Sequence, residues 1–158
     1  MNIYSCLWLI LVIQGIKYYS ERKGTYMFYR YDEDIRGGIE KIETTVKDIL
    51  NHTKLILNDE DLNFDLRLVL NELLINAFVH GNRKDINKCM HLRLVIDDKT
   101  LRINIEDEGD GPCKPYNYDC KQLKNHGRGL VLVKNLTDRF QMEDNRVKCI
   151  INRRYKDL

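Results

Sequence analysis

The stretch NELLINAFVHGN, Asn71 to Asn82, decides how the rest of the chain is read. Leu73, Leu74 and Ala77 continue an apolar face begun by Leu62, Leu66, Val69 and Leu70, so the spacing predicts a helix from Leu62 to His80. Gly81-Asn82 reads as its left-handed stop. Within the same helix Glu72, Asn76 and His80 fall four residues apart, which sets a carboxylate, a carboxamide and an imidazole on one stripe at the border of the apolar face. A core helix has no packing reason to carry such a stripe.

Outward from this helix the pattern is that of one α+β domain. Tyr26 to Tyr31 is aromatic enough for an edge strand. Asp34 to about His52 has helical spacing in Ile35, Ile39, Ile42, Val46, Ile49 and Leu50, with Gly37-Gly38 weakening its first turn. Downstream, His91 to Asp97 and Leu101 to Asp107 alternate with period two and are joined closely enough for a hairpin. A long loop from Glu108 to Gly127 follows, then a helix from Leu130 to about Asp138. Phe140 to Glu143 and Val147 to Tyr155 can close as a hairpin around Asp144-Asn145. The expectation is two layers, with helices packed on one face of a mixed, mostly antiparallel sheet.

Bulk composition fits that reading. The chain has 158 residues, 43% of them hydrophobic and 32% charged, which describes a globular protein with a core of its own. A formal net charge of +2 gives no field for nucleic acid, although Arg146, Lys148, Arg153 and Arg154 make the C-terminus locally basic. The five cysteines form no CxxC pair and are odd in number, which fits reduced thiols in a cytoplasmic protein better than a disulfide framework or a zinc site. The apolar run Cys6 to Ile16 is far short of the roughly 20 residues of a membrane span, and its positive charges follow it, where a secretory signal carries them before. Residues 1–25 are therefore expected to lie outside the domain, which is taken as 26–158, with Met27 as an alternative start.

Three segments carry chemistry. Alternation through Leu101, Ile103 and Ile105 puts Asp107 on the buried face, where a carboxylate is costly unless donors meet it. Gly109 and Gly111 follow, and they let a backbone approach a ligand closely. Asp107 then reads either as an acceptor for a ligand amino group, such as that of adenine, or as a strand-ending turn residue. His126-Gly127-Arg128-Gly129-Leu130 leads into a helix whose first N–H groups suit a phosphate, with Arg128 able to add a charged contact; a plain hinge is the alternative. In the opening stretch, Asn76 can offer a carbonyl oxygen to Mg²⁺, and Glu72 can orient or deprotonate a hydroxyl attacking a γ-phosphate. A solvated face is the bland reading for Glu72, and a helix-end position is the bland reading for His80.

The order of the three segments is more specific than any one of them. Glu72-x3-Asn76-x3-His80-Gly81, Asp107-x-Gly109-x-Gly111 and Gly127-x-Gly129-Leu130 resemble the N, G1 and G2 boxes of the GHKL ATPases. Within that superfamily the wording NEL-x2-NA-x2-HG and the helix LVLVKNLTD are similar to the anti-sigma factor serine-protein kinases of Gram-positive bacteria. The resemblance covers roughly Tyr26 to Tyr155. It implies a Bergerat (histidine-kinase-like ATPase) fold with Pro112 to His126 as the ATP lid. It also implies Asp107 at the adenine amine, Asn76 at Mg²⁺, Glu72 as general base, and Gly109, Gly111, Gly127 and Gly129 shaping the lid around adenine and phosphates. His80, Gly81, Arg128 and Leu130 belong to the same boxes. Such proteins phosphorylate a serine of an anti-anti-sigma factor and bind a sigma factor as homodimers, with Mg-ATP as phosphate donor.

Two departures from the family pattern stand out. Asp144-Asn145-Arg146-Val147 replaces the usual Gly-Thr pair before the last strand, and Pro112 to His126 contains no glycine. Two other readings share the boxes: the catalytic domain of a histidine kinase, for which His52 lacks the expected following proline, and a non-catalytic ATP-gated binding protein.

Overall fold

The computed structural model describes residues 29–109 and 128–153, together with the backbone of 12–13 and 16–17. Two short strands, β1 (Val12–Ile13) and β2 (Ile16–Lys17), pair antiparallel. The chain then runs β3 (Tyr29–Arg36), α1 (Ile39–Leu57), α2 (Glu60–Asn76), a π-helical turn (Ala77–Gly81), β4 (Cys89–Ile96), β5 (Thr100–Asp107), α3 (Arg128–Leu136), β6 (Arg139–Glu143) and β7 (Arg146–Asn152). The five strands β3 to β7 form one sheet in the order β3-β4-β5-β7-β6, antiparallel at every pairing.

Alternation along β4 and β5 buries Leu92, Leu94, Ile96, Leu101, Ile103 and Ile105 on one face, as the sequence predicts. The helices cover that face. α2 contributes Leu66, Val69, Leu70, Leu73 and Leu74, and α1 contributes Ile42, Val46 and Ile49. Burying a Leu or Ile stabilises by about 1.5–3 kcal/mol relative to exposure, so this shared layer is the main force holding the two layers together.

The helix starts correct the sequence reading in two places. Asp34 to Arg36 is strand, because Ile35 points inward from β3 and is 1% exposed; its spacing to Ile39 and Ile42 fits a helix equally well. Gly37-Gly38 is the turn between β3 and α1, with Gly37 at φ +126°, which a side chain rarely tolerates. α2 begins two residues before Leu62, where the Asp59 carboxylate accepts from the Leu62 N–H at 3.0 Å and Glu60 and Asp61 complement the helix dipole.

The end of α2 differs as well. Its α-helical bonding stops at Asn76, and the Asn82 N–H reaches back five residues to the Ala77 carbonyl at 2.7 Å. Gly81-Asn82 is thus not the left-handed stop. That conformation falls one residue later, at Arg83 (φ 55°) and Lys84 (φ 64°).

Candidate functional site

The wider π turn lowers the end of the helix onto the C-terminal end of β5. A Cβ built on Gly81 would lie 2.2 Å from Asp107 Cγ, and one on Gly109 would lie 2.3 Å from the Gly81 carbonyl oxygen and 2.8 Å from Asp107 Oδ1. Neither glycine admits a side chain without displacement. More than two turns upstream, on α2, the Glu72 carboxylate lies against the opening of α3: a Cβ on Gly129 would stand 1.8 Å from Glu72 Oε2. Asn76 sits on the helix between these two contacts and is half-buried. Segments separated by tens of residues therefore meet along one edge of α2.

Of the residues singled out from the sequence, Glu72, Asn76, Gly81, Asp107, Gly109 and Gly129 are brought together in this way. His80 is exposed on the π turn, and Arg128 is exposed at the first residue of α3. Leu130 is buried and packs into the core, where it anchors the start of α3. Gly111 and Gly127 lie outside the described residues, as does the segment 112–126.

Asp107 is only half-buried, yet burial pushes its carboxyl above the ordinary aspartate value. The Gly109 N–H at 2.9 Å and the Lys88 charge pull the other way, and Glu106 adds to the rise. One backbone donor leaves most of the acceptor capacity of a carboxylate unused. An amino group with two hydrogens would meet that capacity.

Two asparagines that the sequence did not single out fix this corner. Asn82 is fully buried; its Nδ2 donates to the Cys89 carbonyl at 3.0 Å, and its Oδ1 accepts from the Glu108 N–H at 2.9 Å. It thereby ties the π turn to the start of β4 and to the residue between Asp107 and Gly109. Asn145, standing where the family pattern has a Gly-Thr pair, brackets the backbone of Asp107: the Asp107 N–H donates to the Asn145 carbonyl at 3.0 Å, and Asn145 Nδ2 donates to the Asp107 carbonyl. Glu108 adds a third tie, its Oε2 accepting from the Cys89 N–H at 2.8 Å.

A model of the histidine kinase-like ATPase domain matches residues 38–152. The chain belongs to the histidine kinase-like ATPase family. Among curated proteins it is 26% identical over 99 residues to an anti-sigma F factor of Geobacillus sp. (strain WCH70), covering 58% of this chain and 68% of that protein. It is 27% identical over 92 residues to the serine-protein kinase RsbW of Bacillus subtilis (strain 168), covering 51% of this chain and 57% of that protein. A third relative, the anti-sigma F factor of Geobacillus stearothermophilus, is 25% identical over 85 residues, half of this chain and 58% of its own length. The matched region spans little more than half of the latter two relatives. Among the described residues no helix is long and apolar enough to cross a membrane.

Proposed function

We propose that the chain binds Mg-ATP along the edge of α2 and transfers its terminal phosphoryl group to a serine of an anti-anti-sigma partner, acting as a sigma-factor regulator. The observation that carries this reading is the double convergence on one helix, with Gly81 and Gly109 closed on Asp107 at one end and Gly129 closed on Glu72 at the other.

In this reading Asp107 accepts hydrogen bonds from the exocyclic amine of adenine. Gly81 and Gly109, having no Cβ, let the π turn and the chain after β5 close around the Asp107 carboxylate. Asn76 supplies a carboxamide oxygen to the cation; among the described residues no cluster of His, Cys, Asp or Glu could hold a metal without help from a ligand. Mg²⁺, when bound, neutralises charge that develops on the phosphates. In this reading the N–H groups that open α3 at Arg128 and Gly129 meet the phosphates, with the Glu72 carboxylate beside them. Glu72 takes the proton of the attacking serine hydroxyl. The sigma factor, the anti-anti-sigma factor and a homodimer are proposed on the strength of the relatives' names and of the motif resemblance.

Incubation with labelled ATP and a candidate anti-anti-sigma protein tests the reading. Acid-stable label on a partner serine is the expected result. Acid-labile label on a histidine of this chain would assign it to the histidine-kinase class, and binding without any transfer would leave it an ATP-gated module.

Two variants test the site map. Asn76→Ala is expected to lose at least about tenfold in ATP affinity in the presence of Mg²⁺ and little in EDTA, measured by titration calorimetry, because the lost group serves the cation. Asp107→Asn should weaken ATP binding and lower the preference for ATP over GTP, while raising the thermal stability of the free protein. The sign follows from linkage: a carboxyl whose folded-state pKa is raised helps stability only below its unfolded pKa, and that help is lost as pH rises through the folded value. At neutral pH the ionised Asp107 therefore opposes folding, and the amide relieves the cost. The gain is up to about 1 kcal/mol, kept small because solvent screens a half-buried group. It should vanish when both proteins are melted at a pH well below the carboxylate range.

A further inference from the structure

Among the described residues the helices cover one face of the sheet, and no helix covers the other. In register across the strands, the end of that open face farthest from Asp107 presents Arg30, Val95, Arg102, Ile150 and Arg139 in one row. Three guanidinium groups thus alternate with two half-buried aliphatic side chains. The next row adds Arg93 and Lys148 on either side of Asn104. Apart from Arg30, these residues line an open groove of about 730 Å³, together with Asp138 and Gln141.

The charges here are unevenly answered. Arg93 and Arg30 share Asp32, and Arg102 Nη2 reaches Asp97 at 2.9 Å. Arg139 and Lys148 are exposed and, among the described residues, meet no carboxylate. On β5, between Arg93 and Lys148, the Asn104 Oδ1 is buried without a hydrogen-bond donor, which a fold tolerates rarely. The carboxylate that lines the groove, Asp138, accepts from the Asn152 N–H at 2.7 Å, which leaves Arg139 and Lys148 beside the aliphatic contacts of Val95 and Ile150.

We propose that this groove docks an extended acidic segment of a protein partner, with carboxylates set on Arg139 and Lys148 and apolar side chains on Val95 and Ile150. A second copy of the chain is a poorer occupant. At the Asp107 end of the open face, Glu106 is held by Arg146 at 2.6 Å and Asp34 by His91 at 2.8 Å, which leaves Glu143 as the carboxylate of that row without such a partner. A nucleic acid is poorer too, since a formal net charge of +2 gives the chain no broad positive field for a phosphate backbone. The groove lies apart from the site at Asp107: Arg102 is five residues back along β5, about 16 Å.

Fluorescence anisotropy of the full chain with a labelled synthetic peptide of alternating Glu and Val tests the proposal. The parent should bind it, more weakly as salt rises. The double variant Arg139→Glu, Lys148→Glu should bind at least about tenfold more weakly while binding ATP as the parent does, which shows that it is folded. A peptide with Gln in place of Glu should not compete. Equal binding of the Gln peptide, tighter binding of single-stranded DNA, no binding by the parent, or a double variant that binds unchanged would each overturn the proposal. So would sedimentation showing that charge reversal acts by dissociating a dimer.

Discussion

Glu72→Ala is expected to lower phosphoryl transfer to a partner serine by about 10²- to 10⁴-fold, the range a positioned general base supplies, while ATP binding stays largely intact. The expectation rests on position. Glu72 is half-buried one turn before Asn76, and its carboxylate lies against the first turn of α3, the segment whose N–H groups are proposed to face the phosphates. Adenine is proposed to sit at the other end of the site, near Asp107, so the variant removes no contact to the base. Alanine also empties the space beside Gly129, and Glu72→Gln separates the two effects by keeping the volume while losing the basicity. Transfer should fall in both variants, and only Glu72→Ala should loosen the start of α3. Single-turnover transfer assays with nucleotide titrations on the same samples check this. A glutamine variant that transfers phosphate at the parental rate would remove Glu72 from the role of base and leave ATP-gated binding as the better account.

Much of the fold is legible in the chain because one periodicity dominates wherever burial is one-sided. β4 and β5 alternate cleanly, and α2 carries apolar residues at helical spacing through five buried positions. The β3-to-α1 boundary is not legible, since Ile35, Ile39 and Ile42 satisfy a helical pattern even though the first of them belongs to a strand. Only the positive φ at Gly37 divides them, and a glycine pair does not announce which conformation it adopts. The π turn is hidden for a different reason. It depends on where the helix end must sit against β5, a tertiary demand that local spacing cannot express. The candidate site divides the same way. The motif residues are visible as a sequence order, whereas Asn82 and Asn145 look like ordinary turn residues until their partners, 26 and 38 positions away, come beside them.

Asn82→Ala is expected to cost about 3 kcal/mol of stability, because it strands two groups at once. The side chain is fully buried, so no water stands ready to replace it at the Cys89 carbonyl or at the Glu108 N–H. For a domain of this size that loss lowers the melting temperature by roughly 10 °C, and urea unfolding should show it as a lower midpoint at an unchanged slope. ATP affinity should fall in parallel, since the lost bond to Glu108 holds the residue that separates Asp107 from Gly109. Glu108→Ala makes the decisive comparison. Its carboxylate also holds a backbone group of this corner, the Cys89 N–H, but from an exposed residue. If burial sets the magnitude, Glu108→Ala should cost under about 1 kcal/mol, because water can take its place. Equal losses in the two variants would mean that the number of ties, and not their desolvation, fixes this corner; an Asn82→Ala protein as stable as the parent would mean that the buried amide contributes nothing net to the fold.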